Sequence, residues 1–298
     1  MEASVALVSS AAPGSPKTHQ IHYSSPSGQH LLVQGDCIEV LKTLPDGSVD
    51  LIFADPPYFL SNGGVTCQAG RMVAVDKGRW DRSRGAEANH EYNRTWLAAC
   101  QRVLTQDGSI FVSGTRHVIF SVGYAMQQLG FKMLNDISWH KVTPPPNLSC
   151  RYFTHATETI LWAAKNERSR HLFNYALMKE ENGGRQMKSL WHIQPPLKSE
   201  KRFGKHPTQK PITLLDRIIR AASRPGDLVL DPFNGSGTTG VAALLLDRSY
   251  IGIDLDPAYL ALAMERLKDP EGDLLALRRT AAKEARTSAK SQQSNLQL

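Results

Sequence analysis

Short apolar runs alternate along this chain with stretches whose apolar residues recur every three or four positions, the texture of strands alternating with helices. Residues 48–54 (Ser-Val-Asp-Leu-Ile-Phe-Ala) form a short apolar run that stops at Asp55, as expected of a strand buried in a parallel sheet. Residues 91–104 then place Trp96, Leu97, Cys100, Val103 and Leu104 at helical spacing. Asp107-Gly108 turns the chain into a strand at 109–112. A helical stretch at 117–129 and strands around 137–139 and 159–162 complete a first block.

A second block opens with an amphipathic helix at 211–222, where Leu214, Leu215, Ile218 and Ile219 share a face and Pro211 sits near the first turn. Pro225-Gly226 turns into a strand at 228–231. A glycine loop follows, then a helix through Leu244-Leu245-Leu246, a strand at 250–254 and a last helix from 257 to about 267. The pattern predicts one α/β domain over residues 29–268. Residues 1–28, rich in Ser, Ala, Gly and Pro, read as a poorly ordered arm, and residues 269–298 as a basic flexible tail. The stretch of about 165–205 is basic, polar and weakly periodic, and reads as an insertion between the blocks.

Composition agrees with a single large domain, since 298 residues with 41% hydrophobic content can fill a sizeable core. The net charge of +7 is unevenly placed: residues 140–210 hold thirteen Lys/Arg against five Glu and no Asp, and residues 278–298 hold five against one. Basic surface in the middle of the chain and in its tail suits a nucleic acid. Cys37, Cys67, Cys100 and Cys150 are scattered, without CxxC spacing or a His cluster, so neither disulfides nor a metal site is expected. With no secretory leader pattern and no apolar run of membrane-spanning length, a soluble cytoplasmic protein is expected.

Gly235-Ser236-Gly237-Thr238-Thr239-Gly240 follows a strand and precedes a helix, the setting in which glycines let a cofactor approach the backbone. Asp254, ending the next strand, is placed to hold ribose hydroxyls. These features alone imply an adenosine-containing cofactor. Asp231 narrows the choice, because an acid at that strand tip would repel a pyrophosphate and attract the ammonium of a methionine moiety.

Asp55-Pro56-Pro57-Tyr58 should emerge at the carboxyl edge of the sheet, where open α/β folds bind ligands. The prolines stiffen the turn and keep its carbonyls free to point into a cleft. An exocyclic amine of adenine or cytosine is a poor nucleophile while its lone pair is conjugated with the ring. The Asp55 carboxylate and the Pro56 carbonyl could engage its two hydrogens and turn the lone pair toward a sulfonium methyl. Tyr58 is expected to stack on the base, which must leave its helix to reach such a pocket. Residues 59–80, with Gly63, Gly64, Gly70 and Gly78, read as a mobile loop closing over the site.

Taken in order, these motifs resemble the DPPY-type DNA amino-methyltransferases of restriction-modification systems, in the beta arrangement with the catalytic half before the cofactor half. The resemblance spans residues 30–268 and includes Gly35-Asp36, the DPPY motif, His206-Pro207-Thr208-Gln209-Lys210-Pro211, Asp231-Pro232-Phe233-Asn234-Gly235-Ser236-Gly237-Thr238-Thr239 and Asp254. It implies a Rossmann-like methyltransferase fold of permuted order, S-adenosylmethionine as cofactor and DNA as substrate. It implies Asp36 near the cofactor adenine, Thr208 and Lys210 at its methionine end, and Phe233, Gly235, Gly237 and Thr238 in the cofactor loop. The 165–205 insertion then corresponds to target recognition. Residues 58–64 and 147–155 look closest to the second, GATC-directed adenine-N6 methylases of Dpn-type systems, which act on double strands and in some cases single strands. A cognate endonuclease and a homodimer are further implications. Cytosine-N4 methylation, and a catalytically silent DNA-binding regulator retaining the fold, stay open at this point.

Overall fold

The apolar run after Ser48 forms the middle of a nine-stranded sheet, and its side chains alternate between two cores. Leu51 and Phe53 pack on one face, Ile52 and Ala54 on the other. The computed structural model describes residues 19–60, 65–68, 71–74, 81–144 and 146–295, with side chains described as far as residue 283 apart from those of 65–74. The strands are β1 (His19–Ser24), β2 (His30–Gly35), β3 (Val49–Ala54), β4 (Val65–Gln68), β5 (Arg71–Ala74), β6 (Leu104–Gly114), β7 (Lys132–Lys141), β8 (Thr157–Ala164), β9 (Leu190–Ile193), β10 (Leu228–Asp231) and β11 (Ser249–Asp254). The helices are α1 (Cys37–Thr43), α2 (Ala86–Val103), α3 (Ile119–Gln128), α4 (Tyr175–Glu181), α5 (Ile212–Ala222), α6 (Thr238–Leu245), α7 (Pro257–Lys268) and α8 (Glu271–Asn295).

The sheet order is β1-β2-β11-β10-β3-β6-β8-β7-β9, with β2 through β6 mutually parallel and β8 antiparallel to both its neighbours. Helices α1, α2 and α3 cover one face through Val40, Leu41, Trp96, Leu97, Val122 and Met126. Helices α5, α6 and α7 cover the other through Leu214, Ile218, Val241 and Leu260. From β10 the chain crosses to β11 on one side, and from β3 to β6 on the other. Such a reversal opens a crevice above the carboxyl ends of the two adjacent strands, which places Asp231 and Asp55 side by side.

Three segments differ from the sequence reading. His19–Ser24, inside the expected arm, pairs with β2 as an edge strand; a strand with one neighbour and two half-wet faces needs no apolar run. Residues 1–18 lie outside the described residues, as do Gly63, Gly64, Gly70 and Gly78 of the expected mobile loop, of which β4 and β5 form an antiparallel pair. The 165–205 stretch contributes α4 and β9, and β9 extends the sheet beside β7 with Trp191 and Ile193 in the core.

The expected flexible tail instead holds α8. Its Ala, Arg, Lys and Leu are strong helix formers, and Asp273 and Ala276 of its first turns are buried. Among the described residues, no helix is long and apolar enough to cross a membrane.

Candidate functional site

The crevice between β10 and β3 is an open cleft of about 1290 Å³, its mouth included. Of the residues singled out from the sequence, Asp36, Asp55, Pro57, Thr208, Lys210, Asp231, Phe233, Gly235, Thr238 and Asp254 line it together. Pro56, between Asp55 and Pro57, is buried and does not line it. Gly237 stands behind the loop at φ 76°, where a Cβ would come within 2.6 Å of the Ala263 Cβ. Only glycine fits that left-handed position and close approach.

On the cofactor side, Asp36 caps α1 by accepting from the Ile38 (2.9 Å) and Glu39 (3.3 Å) amides. Asp231 accepts from the Phe233 amide (3.0 Å) and the Thr239 hydroxyl (2.6 Å). Burial, only partly offset by these two bonds, with the nearby Asp55 and Asp254 carboxylates adding to it, pushes Asp231 up to about 7. Asp254 accepts from the Gly235 (2.7 Å) and Asp256 (2.9 Å) amides, and burial pushes it up to about 6. Two buried acids raised in this way favour a cationic ligand and oppose a pyrophosphate. S-adenosylmethionine, with its ammonium, sulfonium and ribose, therefore fits this donor set where a dinucleotide does not.

The loop is braced from outside the motifs. Arg266, fully buried, donates to the Ser236 carbonyl (2.7 Å) and the Thr238 hydroxyl (2.9 Å). The Thr238 hydroxyl in turn donates to the Lys210 carbonyl (3.1 Å), tying the glycine loop to the 206–211 segment.

On the other side, Asp55 is held by three donors. Tyr58 Oη (2.7 Å) and Ser113 Oγ (2.8 Å) bond Oδ1, and Lys210 Nζ bonds Oδ2. Lys210 also faces Glu158 at 3.6 Å, and Glu158 pairs with Lys141. Burial opposes charge on Lys210, yet the Asp55 and Glu158 carboxylates outweigh it and hold its pKa above the usual value. Burial likewise opposes charge on Glu158, but Lys210 and Lys141 hold it below the usual carboxylate range.

Tyr58 does not face the cleft. Its ring is buried, and its hydroxyl, pushed well up by burial and by Asp55 and Glu158, points inward to the carboxylates. The aromatic presented to the cleft is the next residue, Phe59, in the left-handed region at φ 57° and edge-on to Tyr92. For a bulky residue that backbone costs about 1–3 kcal/mol. Buried Asp81 supports it by accepting from the amides on either side, Tyr58 (2.9 Å) and Leu60 (3.1 Å).

Sequence reading therefore missed Asp81, Ser113, Glu158, Lys141 and Arg266, each of which acts through a partner distant in the chain. His206, read from the sequence only as the first residue of the 206–211 motif, packs its ring edge-on to Tyr259 at 4.3 Å at the cleft wall.

Comparison with known proteins agrees with this geometry. A family model described as DNA methylase matches residues 49–265. The chain is 54% identical over 239 residues to the type II methyltransferase M2.DpnII of Streptococcus pneumoniae, covering 80% of this chain and 89% of that one. It is 55% identical over 238 residues to the type II methyltransferase M2.LlaDCHI of Lactococcus lactis subsp. cremoris, covering 80% and 88%. Among solved structures, the M1.HpyAVI–SAM complex superposes with a TM-score of 0.61 at 28% identity, over 80% of this chain and 98% of that one.

Proposed function

The chain belongs to the DNA methylase family and is a DNA methyltransferase that uses S-adenosylmethionine, and on that premise we propose that it methylates the N6 amine of adenine, within GATC, through Asp55. The observation that carries this reading is the setting of the Asp55 carboxylate. It stands at the reversal of the sheet, beside the acids that suit the cofactor, and is fixed by Tyr58, Ser113 and Lys210.

When bound, S-adenosylmethionine supplies an electrophilic methyl group on a sulfonium. The protein does the rest. A carboxylate offers about four lone-pair positions, so three donors leave one on Asp55 for a hydrogen of the base amine. The Pro56 carbonyl takes the second hydrogen, and the amine lone pair is released from the ring. Asp55 then accepts the proton that the amine sheds as its new N–C bond forms. Phe59 supplies the aromatic wall against the base, in the role first expected of Tyr58, while Tyr58 orients Asp55. Asp231 faces the ammonium, Asp254 the ribose, Asp36 the cofactor adenine, and Thr208 the methionine end, with Phe233, Gly235, Gly237 and Thr238 shaping the loop. Lys210 serves Asp55 more directly than the cofactor.

Target recognition falls to the basic stretch of about 165–205, whose lysines and arginines would hold phosphates and reach bases. A cognate endonuclease for the same site, a homodimer and action in the cytoplasm on chromosomal DNA complete the reading. The test is expression in a host free of DNA methylation, followed by genome-wide mapping of modified bases. N6-methyladenine confined to GATC is expected; N4-methylcytosine, or adenine methylated in another sequence, would overturn the base or site assignment respectively.

A further inference from the structure

The loop that joins β7 to β8, residues 142–156, has no part in the cofactor cleft or the Asp55 network, yet it rises from the same edge of the sheet. Its far stem begins at Thr157, and Glu158 lies 3.3 Å from Tyr58 Oη. Ser113, which bonds Asp55, is paired across the sheet with Ile160. The stem thus leaves the Asp55 network at Glu158 and opens into the loop within two residues of it.

The loop presents apolar side chains to water. Phe153 is 96% exposed and Tyr152 60%, and Leu148 is exposed beside them. Exposed aromatics usually fall back on a protein surface unless the backbone holds them off. Here Asn147 holds it: its Oδ1 accepts from the Ser149 amide (3.1 Å) and hydroxyl (2.7 Å), and its Nδ2 donates to the Tyr152 carbonyl. Cys150 takes the left-handed conformation at φ 53°, which turns the chain toward Tyr152 and Phe153. At the base of the turn His155 is bonded to Arg116. Residues 142–156 contain Arg151 and His155 and no acid.

An aromatic held out on an acid-free turn that carries Arg151 and rises from the sheet edge where Asp55 and Glu158 stand matches the chemistry of a nucleic-acid stack, in which a flat apolar ring replaces a base between its neighbours. We propose that Phe153 enters the duplex as the target base leaves it and fills the gap left in the stack, with Tyr152 and Leu148 packed along the strand beside it. This rests on the reading above, that the substrate is a base extruded from duplex DNA. It assigns the loop a role separate from recognition of sequence by the 165–205 stretch. A gap exists only in a duplex, so the contribution of Phe153 is confined to double-stranded substrate.

The test compares wild type, Phe153→Ala and Phe153→Trp on one oligonucleotide, single-stranded and annealed, that contains the sequence wild type methylates. Methyl transfer is followed on both forms, and fluorescence on a duplex with 2-aminopurine at the target adenine. Phe153→Ala is expected to lose on the order of ten-fold or more in kcat/KM on the duplex, the loss typical of one missing aromatic stack. It should show a reduced 2-aminopurine signal, keep single-strand activity and S-adenosylmethionine affinity within two-fold, and be rescued by Phe153→Trp. Equal loss on both forms, as from damage to the fold or to a contact with a second copy, would overturn the proposal; so would an unchanged duplex rate. Failure of wild type itself to raise the 2-aminopurine signal would instead defeat the underlying reading of a flipped base.

Discussion

Arg266 of α7 and Asp273 of α8 form a buried ion pair of 2.6 Å, and the same guanidinium holds the glycine loop through the Ser236 carbonyl and Thr238 hydroxyl. The start of α8 is therefore a brace for the cofactor loop. Removing one partner of a buried pair strands the other charge and costs about 3–5 kcal/mol. Asp273→Ala should lower the melting temperature and weaken S-adenosylmethionine binding about ten-fold or more, the loop carbonyl having lost its donor's orientation. Thermal unfolding and calorimetric titration would check both, and unchanged cofactor affinity in a destabilised protein would confine Asp273 to folding.

Asp55→Asn keeps the size of the side chain but replaces one acceptor oxygen with a donor. Turnover should fall by about 10²–10⁴, the range for losing a positioned proton acceptor, while cofactor affinity stays within a few-fold. Single-turnover methyl transfer alongside calorimetry separates the two effects. Near-normal turnover would remove Asp55 from the mechanism.

We propose that Phe59 takes the stacking role expected of Tyr58 while Tyr58 orients Asp55, and two substitutions tell them apart. Tyr58→Phe preserves the buried ring and deletes the hydroxyl with its bond to Asp55 and its longer contacts to Ser113, Glu158 and Lys210, so a fall in kcat of about ten-fold with an unchanged KM is expected, along with about 1 kcal/mol of stability. Phe59→Ala should mainly raise KM for DNA. If Tyr58→Phe were fully active while Tyr58→Ala lost DNA affinity, Tyr58 would be the stacking residue after all.

What could be read from sequence was whatever depends on neighbours in the chain. Asp55, Asp231 and Asp254 each end an apolar run, and a strand's end fixes where the next residue emerges. Glu158 could not be found that way, since it meets Tyr58 across 100 residues and sits on a strand whose pattern says only that it is half-covered. Asp81 was equally silent: its use is to hold the backbone around Phe59, a left-handed conformation that no residue type at position 59 announces. The helix after residue 270 was misread because its charge was weighed before its propensity. The inward direction of the Tyr58 hydroxyl is equally silent in the sequence, since Ser113, Glu158 and Lys210, which meet it beside Asp55, lie 55 to 152 residues away in the chain.

The acids of the cofactor pocket make binding depend on pH. Asp231 lies at about 7 and Asp254 at about 6, both raised chiefly by burial. A carboxyl raised by folding contributes stability that is complete below its ordinary value and lost as pH rises through its folded value. The free protein thus carries strain from Asp231 above about pH 7, which an ammonium beside it would relieve. Binding of S-adenosylmethionine should accordingly take up the ionised form and release a proton where Asp231 is still protonated. Its affinity should fall toward ten-fold per unit below about pH 6.5, with Asp254 steepening the fall, and should fall again above about pH 8, where the ligand's own α-ammonium loses its proton. Asp231→Asn should bind weakly and lose most of that slope. Calorimetry in buffers of different ionisation enthalpy measures the proton released directly, and an affinity independent of pH in wild type would place the ammonium elsewhere than Asp231.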